Sequence, residues 1–248
     1  MITTQKTAKL FAAVAIAGLV VSTSGGAATI AHSINGETVA PVNLTTEGTQ
    51  DWKLINFNNT TDAFEIYNSK LGGSGITLGT GFGVDIGNAI DDARGPSFSY
   101  TDGVSPVSEG SLQMSVARGA TNTFSQILST YTITFDALAV GAEHTANVYL
   151  TTGRAKWTSI SADWANANPT LDVSTTVENI SDAYSLTFTP DAMSDSVTVT
   201  FVGAAIGSSS SHYRLGFTGA TLAVVPEPSS SAALLGLGCL ALILRRRK

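Results

Sequence analysis

The chain has 248 residues, of which 43% are apolar and 13% charged, with a formal net charge of −6. That length suits one domain able to bury its own core, and the acidic balance excludes a phosphate-attracting surface for nucleic acid. With one cysteine, Cys239, an intrachain disulfide is excluded as well.

In chain order, the first segment is a targeting signal. Lys6 and Lys9 precede an apolar stretch from Leu10 to Val21, and small residues follow from Ser22 to Ala28. A basic n-region, an apolar h-region and a small-residue site make residues 1–28 a secretory signal peptide, with cleavage expected after Ala28.

Residues 29–225 form the body. It keeps seven basic residues (Lys53, Lys70, Arg94, Arg118, Arg154, Lys156 and Arg214) against 18 acidic ones, a net charge of −11. Its apolar residues recur with period two, the spacing of half-buried strands. Tyr131, Ile133 and Phe135 share one face of "YTITFD", and Leu171, Val173 and Val177 share one face of "LDVSTTVE". "AYSLTFT" repeats the pattern through Tyr184, Leu186 and Phe188, "SVTVTFV" through Val197, Val199 and Phe201, and "HYRLGF" through Tyr213, Leu215 and Phe217. Turn formers such as "ENISD" and "TPDAMSD" separate these runs. Helix is expected only as a short turn in "NAIDDARG". Short strands need a second sheet to bury their apolar face, so the fold is expected to be all-β, an antiparallel β-sandwich of jelly-roll type.

Chemistry-bearing motifs are sparse in the body. His32, His144 and His212 lie far apart, and no HExxH or cysteine pair offers zinc a ligand set. "GGSG" at 72–75 lacks the last glycine of a nucleophile elbow, and the glycine run through "LGTGFGVDIG" has no Gly-Lys-Ser and no following helix. Asp91 and Asp92, read as a loop with Asn88, are the candidate ligands of a structural calcium ion; otherwise no cofactor is expected. Glycoside hydrolysis requires two convergent carboxylates, and sequence singles out no pair.

Aromatic rings are the remaining candidates. The C–H faces of a sugar pack on flat apolar rings while its hydroxyls seek polar groups. Trp157 and Trp164 flank "TSISAD" with Asp163, Asn166 and Asn168 nearby, and Trp52 lies near the start of the body. Tyr149 shares a strand face with Thr145, Asn147 and Thr151. These four are the candidate ligand-binding residues. Burial of the same rings in the core is the competing reading.

The C-terminal segment, residues 226–248, has three parts. Pro226-Glu227-Pro228 is followed by an apolar run from about Ala232 to Leu244 and by Arg245, Arg246, Arg247 and Lys248. The run covers about two-thirds of a bilayer core, and the basic cluster would keep the C-terminus inside. By physics alone the segment reads equally as a permanent anchor or as an extended tripeptide presented for cutting.

"VPEPS", "LLGLG" and "LILRRRK" in that order resemble the PEP-CTERM sorting signal of Gram-negative bacteria. The resemblance implies recognition by a membrane-embedded exosortase, transient association with the inner membrane, and delivery to the cell surface or beyond. More loosely, "DWKLINF", "PSFSYTDG", "HTANVYL", "YSLTFTP" and "RLGFTGATL" are similar to galactose-binding-like β-sandwich modules of exported proteins. Together these imply an exported, non-catalytic surface or matrix protein that binds extracellular polysaccharide, with no nucleic-acid partner. The alternatives are a secreted hydrolase or lyase acting on glycans and a purely structural surface protein.

Overall fold

The computed structural model describes residues 29–34, 41–83, 89–119, 130–136, 139–153, 155–164, 171–173, 181–191, 195–205 and 214–226. Residues 1–28, read above as a signal peptide with cleavage after Ala28, and nearly all of residues 226–248 lie outside these residues.

The described elements are β1 (Thr29–Ile34), β2 (Val42–Asn43), α1 (Leu44–Glu47), β3 (Asp51–Asn58), β4 (Ala63–Ser69), β5 (Ile76–Leu78), β6 (Ala89–Tyr100), β7 (Glu109–Gly119), β8 (Thr130–Asp136), β9 (His144–Gly153), β10 (Ala155–Trp164), β11 (Leu171–Val173), β12 (Ser181–Thr189), β13 (Ser196–Ala205) and β14 (Arg214–Val224). They form a nine-stranded sheet, whose main path runs β1-β12-β9-β14-β7-β6-β2 with β3 and β4 branching from β14, and a five-stranded sheet ordered β11-β10-β13-β8-β5. Every pairing is antiparallel except the short β2–β6 contact. From β8 through β10 to β12, β13 and β14 the chain changes sheet repeatedly, the crossing connectivity of a jelly-roll-like sandwich. The all-β sandwich read from the sequence is the observed fold.

Period two explains the core. Tyr131, Ile133 and Phe135 of β8, Tyr184, Leu186 and Phe188 of β12, and Val197, Val199 and Phe201 of β13 all point between the sheets and are buried. Phe217 of β14 lies among them, with ring centroids 5.0 Å from Tyr131, 4.9 Å from Trp157 and 5.9 Å from Phe64. Tilted and edge-on contacts of this kind add to the stabilisation from apolar burial.

A second layer covers part of the outer face of the large sheet. β7 pairs with β14 only at Arg214 and Leu215, after which β14 passes to β3 from Gly219 to Leu222. Between Arg94 and Phe98 of β6, four steps oppose two on β7, and Gly95-Pro96 lies in this interruption. Proline cannot donate to the ladder, and extra residues bend a strand. The hairpin's far half thereby lies over β3 and β9, closing a second core of Trp52, Leu54, Phe98, Tyr100, Met114 and Tyr149. Gly216 permits this approach: a methyl group there would lie 2.5 Å from Val116.

One expectation changes here. Within "NAIDDARG", residues 89–95 are not a loop or helical turn, and Asn88 lies outside the described residues: Asp91 and Asp92 lie within β6, paired with Ala117 and Val116. The loop proposed to hold calcium is a strand, because the long β6–β7 hairpin extends the ladder through it.

Candidate functional site

The aromatic residues singled out in the sequence are all interior: Trp52 is 0%, Trp157 1%, Tyr149 2% and Trp164 4% exposed. A bulge in β10 between Trp157 and Ser159 puts Trp157 and Trp164, seven positions apart, on one face, and both enter the space between the sheets, against Phe201 and Phe188 respectively. Trp52 and Tyr149 point to the outer face, which the β6–β7 hairpin covers: Tyr100 stacks at a tilt on Trp52, and Phe98 meets Tyr149 edge-on. None of the four presents a ring face to solvent, so the stacking surface expected from them is absent. Two packed layers on the large sheet require more large apolar side chains than one would.

The polar tips of the outer pair are tied down. The Trp52 indole N–H donates to Asp102 Oδ1 at 3.0 Å, and the Tyr149 hydroxyl donates to Glu47 of α1. Burial first, and then the Glu47 charge, push the Tyr149 hydroxyl pKa far up. Asp102 also accepts from Thr45 Oγ1 at 2.7 Å and from Lys70 Nζ. Burial favours its neutral form, but the Lys70, Thr45 and Trp52 donors outweigh that and hold the carboxyl below the usual range. This network fastens α1, β3 and the segments around 70 and 102 together.

Trp157 and Trp164 differ: neither indole N–H finds an acceptor among the described residues. Of the tail residues only Pro226 is described, and it is exposed. Glu227, Pro228 and Arg245 to Lys248 lie outside the described residues, as do the side chains of Asp91 and Asp92.

An open polar cleft remains at the far end of the β3–β4 hairpin. It has a volume of about 310 Å³ and is bordered by Asn56, Asn58, Asn59, Glu65, Tyr67 and Ser115. Ile55 and Phe57 of β3 face the core, so alternation turns Asn56 and Asn58 to the outer face, where Glu65 is paired with Asn56. Between Leu54 and Ile55 the register slips against β4: Leu54 opposes Asn68 and Ile55 opposes Ile66, leaving Tyr67 as the extra residue of a bulge. A bulge re-aims its side chain, and Tyr67 is 45% exposed on an edge strand.

Hydrogen bonds fix the rest of the rim. Asn58 Nδ2 donates to Glu65 Oε2 at 3.0 Å and Thr61 Oγ1 donates to Oε1 at 2.6 Å. These two donors hold the Glu65 carboxyl below its ordinary range, so it is an ionised acceptor at neutral pH. Thr60 N donates to Asn58 Oδ1 at 2.9 Å, and Ser115 N donates to Asn56 Oδ1 at 2.8 Å, fixing both amides. The tight turn is completed by Asp62 at φ 50°, a left-handed conformation that aspartate tolerates. An exposed ring beside fixed amides and an ionised acceptor can pack a sugar C–H face and accept its hydroxyl protons. Among the described residues, Glu65 is the one carboxylate that borders the cleft.

Sequence reasoning missed this cleft. The signal was present in "NNTTDAFEIYNS", where Glu65 and Tyr67 share the non-core parity of the strand as Tyr149 does with its neighbours. What sequence did not supply was the bulge, and which strand faces the hairpin covers.

Comparison with known proteins bears on the other end of the chain. Residues 224–248 match the PEP-CTERM protein-sorting motif. The tail is a PEP-CTERM sorting signal. It marks an exported, surface-directed protein that is processed by an exosortase. No curated protein matches the chain. Among solved structures, the enzymatically active domain of tailspike protein 4 from bacteriophage CBA120 is similar over 56% of this chain and 20% of its own, at 11% identity and a TM-score of 0.33. The similarity therefore spans about a fifth of the tailspike chain.

Proposed function

We propose that the protein is a non-catalytic component of the cell surface or extracellular matrix that contacts neutral polysaccharide through the Tyr67 cleft. The sorting tail brings the sandwich to where such polymers are found. After cleavage of residues 1–28, the short apolar run holds the chain at the inner membrane until an exosortase removes it. The observation that carries the binding reading is the bulged, exposed Tyr67 above a rim of Asn56, Asn58 and Glu65. A body with a net charge of −11 favours neutral over acidic polymers, since like charges repel.

The test is affinity electrophoresis of residues 29–225 through gels carrying neutral and acidic polysaccharides, with and without calcium. Retardation that disappears in Tyr67→Ala and persists in Val140→Ala, an exposed residue elsewhere, supports the reading. Retardation only with calcium would show that an ion takes part in the contact. Product release from any polymer would favour a hydrolase or lyase. No retardation in any gel would leave a structural surface protein, a reading that the buried tryptophans favour.

A further inference from the structure

The two export segments attach to the same end of the sandwich. Strand registers place Thr29 opposite Thr189, Phe188 opposite His144, and His144 opposite Val224. The first described residue and the last strand residue are therefore three strand spacings apart, roughly 14 Å. Both ends are fastened: Thr29 is within the β1–β12 ladder, and Val225 N–H donates to Glu143 O at 2.8 Å. From Val225 to Ala232 there are seven residues, which span at most about 24 Å when fully extended.

We propose that this end, built from residues 139–143, 190–191 and 195 with the start of β3, is the membrane-facing pole of the precursor. The fold leaves no slack before Pro226, so the apolar tail holds the pole close to the lipid surface. The opposite end is held away. Asn58 lies seven residues along β3 from Asp51, which pairs with Leu222 at the pole, so the cleft turn stands about 23 Å further out. The tethered precursor thus presents its cleft away from the bilayer.

Charge makes this attachment depend on the tail. Asp136, Glu143 and Asp195 are exposed at the pole, while Lys53 pairs with Asp51 and Lys70 with Asp102. Such a surface repels anionic headgroups, so the pole stands near the bilayer without entering it. Loss of the tail frees the domain.

This inference rests on the proposed membrane stage of the tail, and the experiment separates the two. The precursor after signal cleavage, residues 29–248 with Cys239→Ser, carries a single label at Val140→Cys on the pole or Asn59→Cys at the cleft turn. Each is reconstituted into vesicles of zwitterionic and anionic lipid containing a headgroup-attached quencher. The expected result is strong quenching at Val140→Cys, little at Asn59→Cys, and release of both from the vesicles after proteolysis at the tail. Flotation without the vesicles would overturn the membrane stage itself. Flotation with equal quenching at both labels, or stronger quenching at Asn59→Cys, would overturn the polar orientation alone. Retention after tail removal would overturn the charge argument.

Discussion

The two halves of β3 differ on both faces. On the inner face Asp51 and Lys53 form an ion pair in the first half, whereas Ile55 and Phe57 enter the aromatic core in the second. On the outer face Trp52 and Leu54 are buried beneath the β6–β7 hairpin, whereas Asn56 and Asn58 border an open cleft. The strand itself is continuous; the layer above it stops. Where the covering layer lies, aromatic side chains become core, and where it ends, polar side chains and a bulged tyrosine become available to a ligand.

Substitutions can break or sharpen that contrast. The largest effect is expected at the inner face: Phe217→Ala removes a ring touching Phe64, Tyr131, Trp157 and Phe201, and should cost about 3–5 kcal/mol by urea denaturation. A cost near that of a surface change would mean that the two sheets are not packed as described.

Next comes the covered outer half. Asp102→Ala leaves the Trp52 indole N–H without its acceptor and loosens Lys70 and Thr45, which should cost about 1–3 kcal/mol. Because the carboxyl is held below its usual range, its contribution is present above about pH 3.9 and is lost as acid protonates it. The acid limb of a stability–pH curve should therefore flatten in Asp102→Asn.

A smaller effect tests the His144 ring, buried at the edge of the inner core. His144 stacks on Phe188 at 5.2 Å and accepts no charge easily: burial lowers its pKa, against a weaker opposing contribution from the Ala142 carbonyl. The unfolded chain then binds the proton more readily, so stability should decline as pH falls below about 6.5, by at most about 1.4 kcal/mol per pH unit. His144→Phe should remove that slope. An unchanged slope would assign it to other groups.

The smallest effect on stability belongs to the open half. Tyr67→Ala should change the unfolding free energy by no more than about 0.5 kcal/mol, as expected of an exposed residue. Polysaccharide retardation should nevertheless be lost. Loss of both would make Tyr67 a packing residue.

The sequence by itself determined the sandwich and the address. Period-two runs such as Tyr131, Ile133 and Phe135 must bury one face, and the order of Pro226-Glu227-Pro228, apolar run and basic end is local, so neither requires knowledge of distant contacts. Alternation also placed Tyr149 and its neighbours correctly on one face, but a strand face carries no mark of what will cover it. Only the tertiary structure decided that the β6–β7 hairpin buries Trp52 and Tyr149, that Asp91 and Asp92 belong to a strand, and that Tyr67 is turned outward by a bulge. Those outcomes depend on pairings between residues dozens of positions apart, and the register of a long-range ladder is set by the packing of the whole sheet.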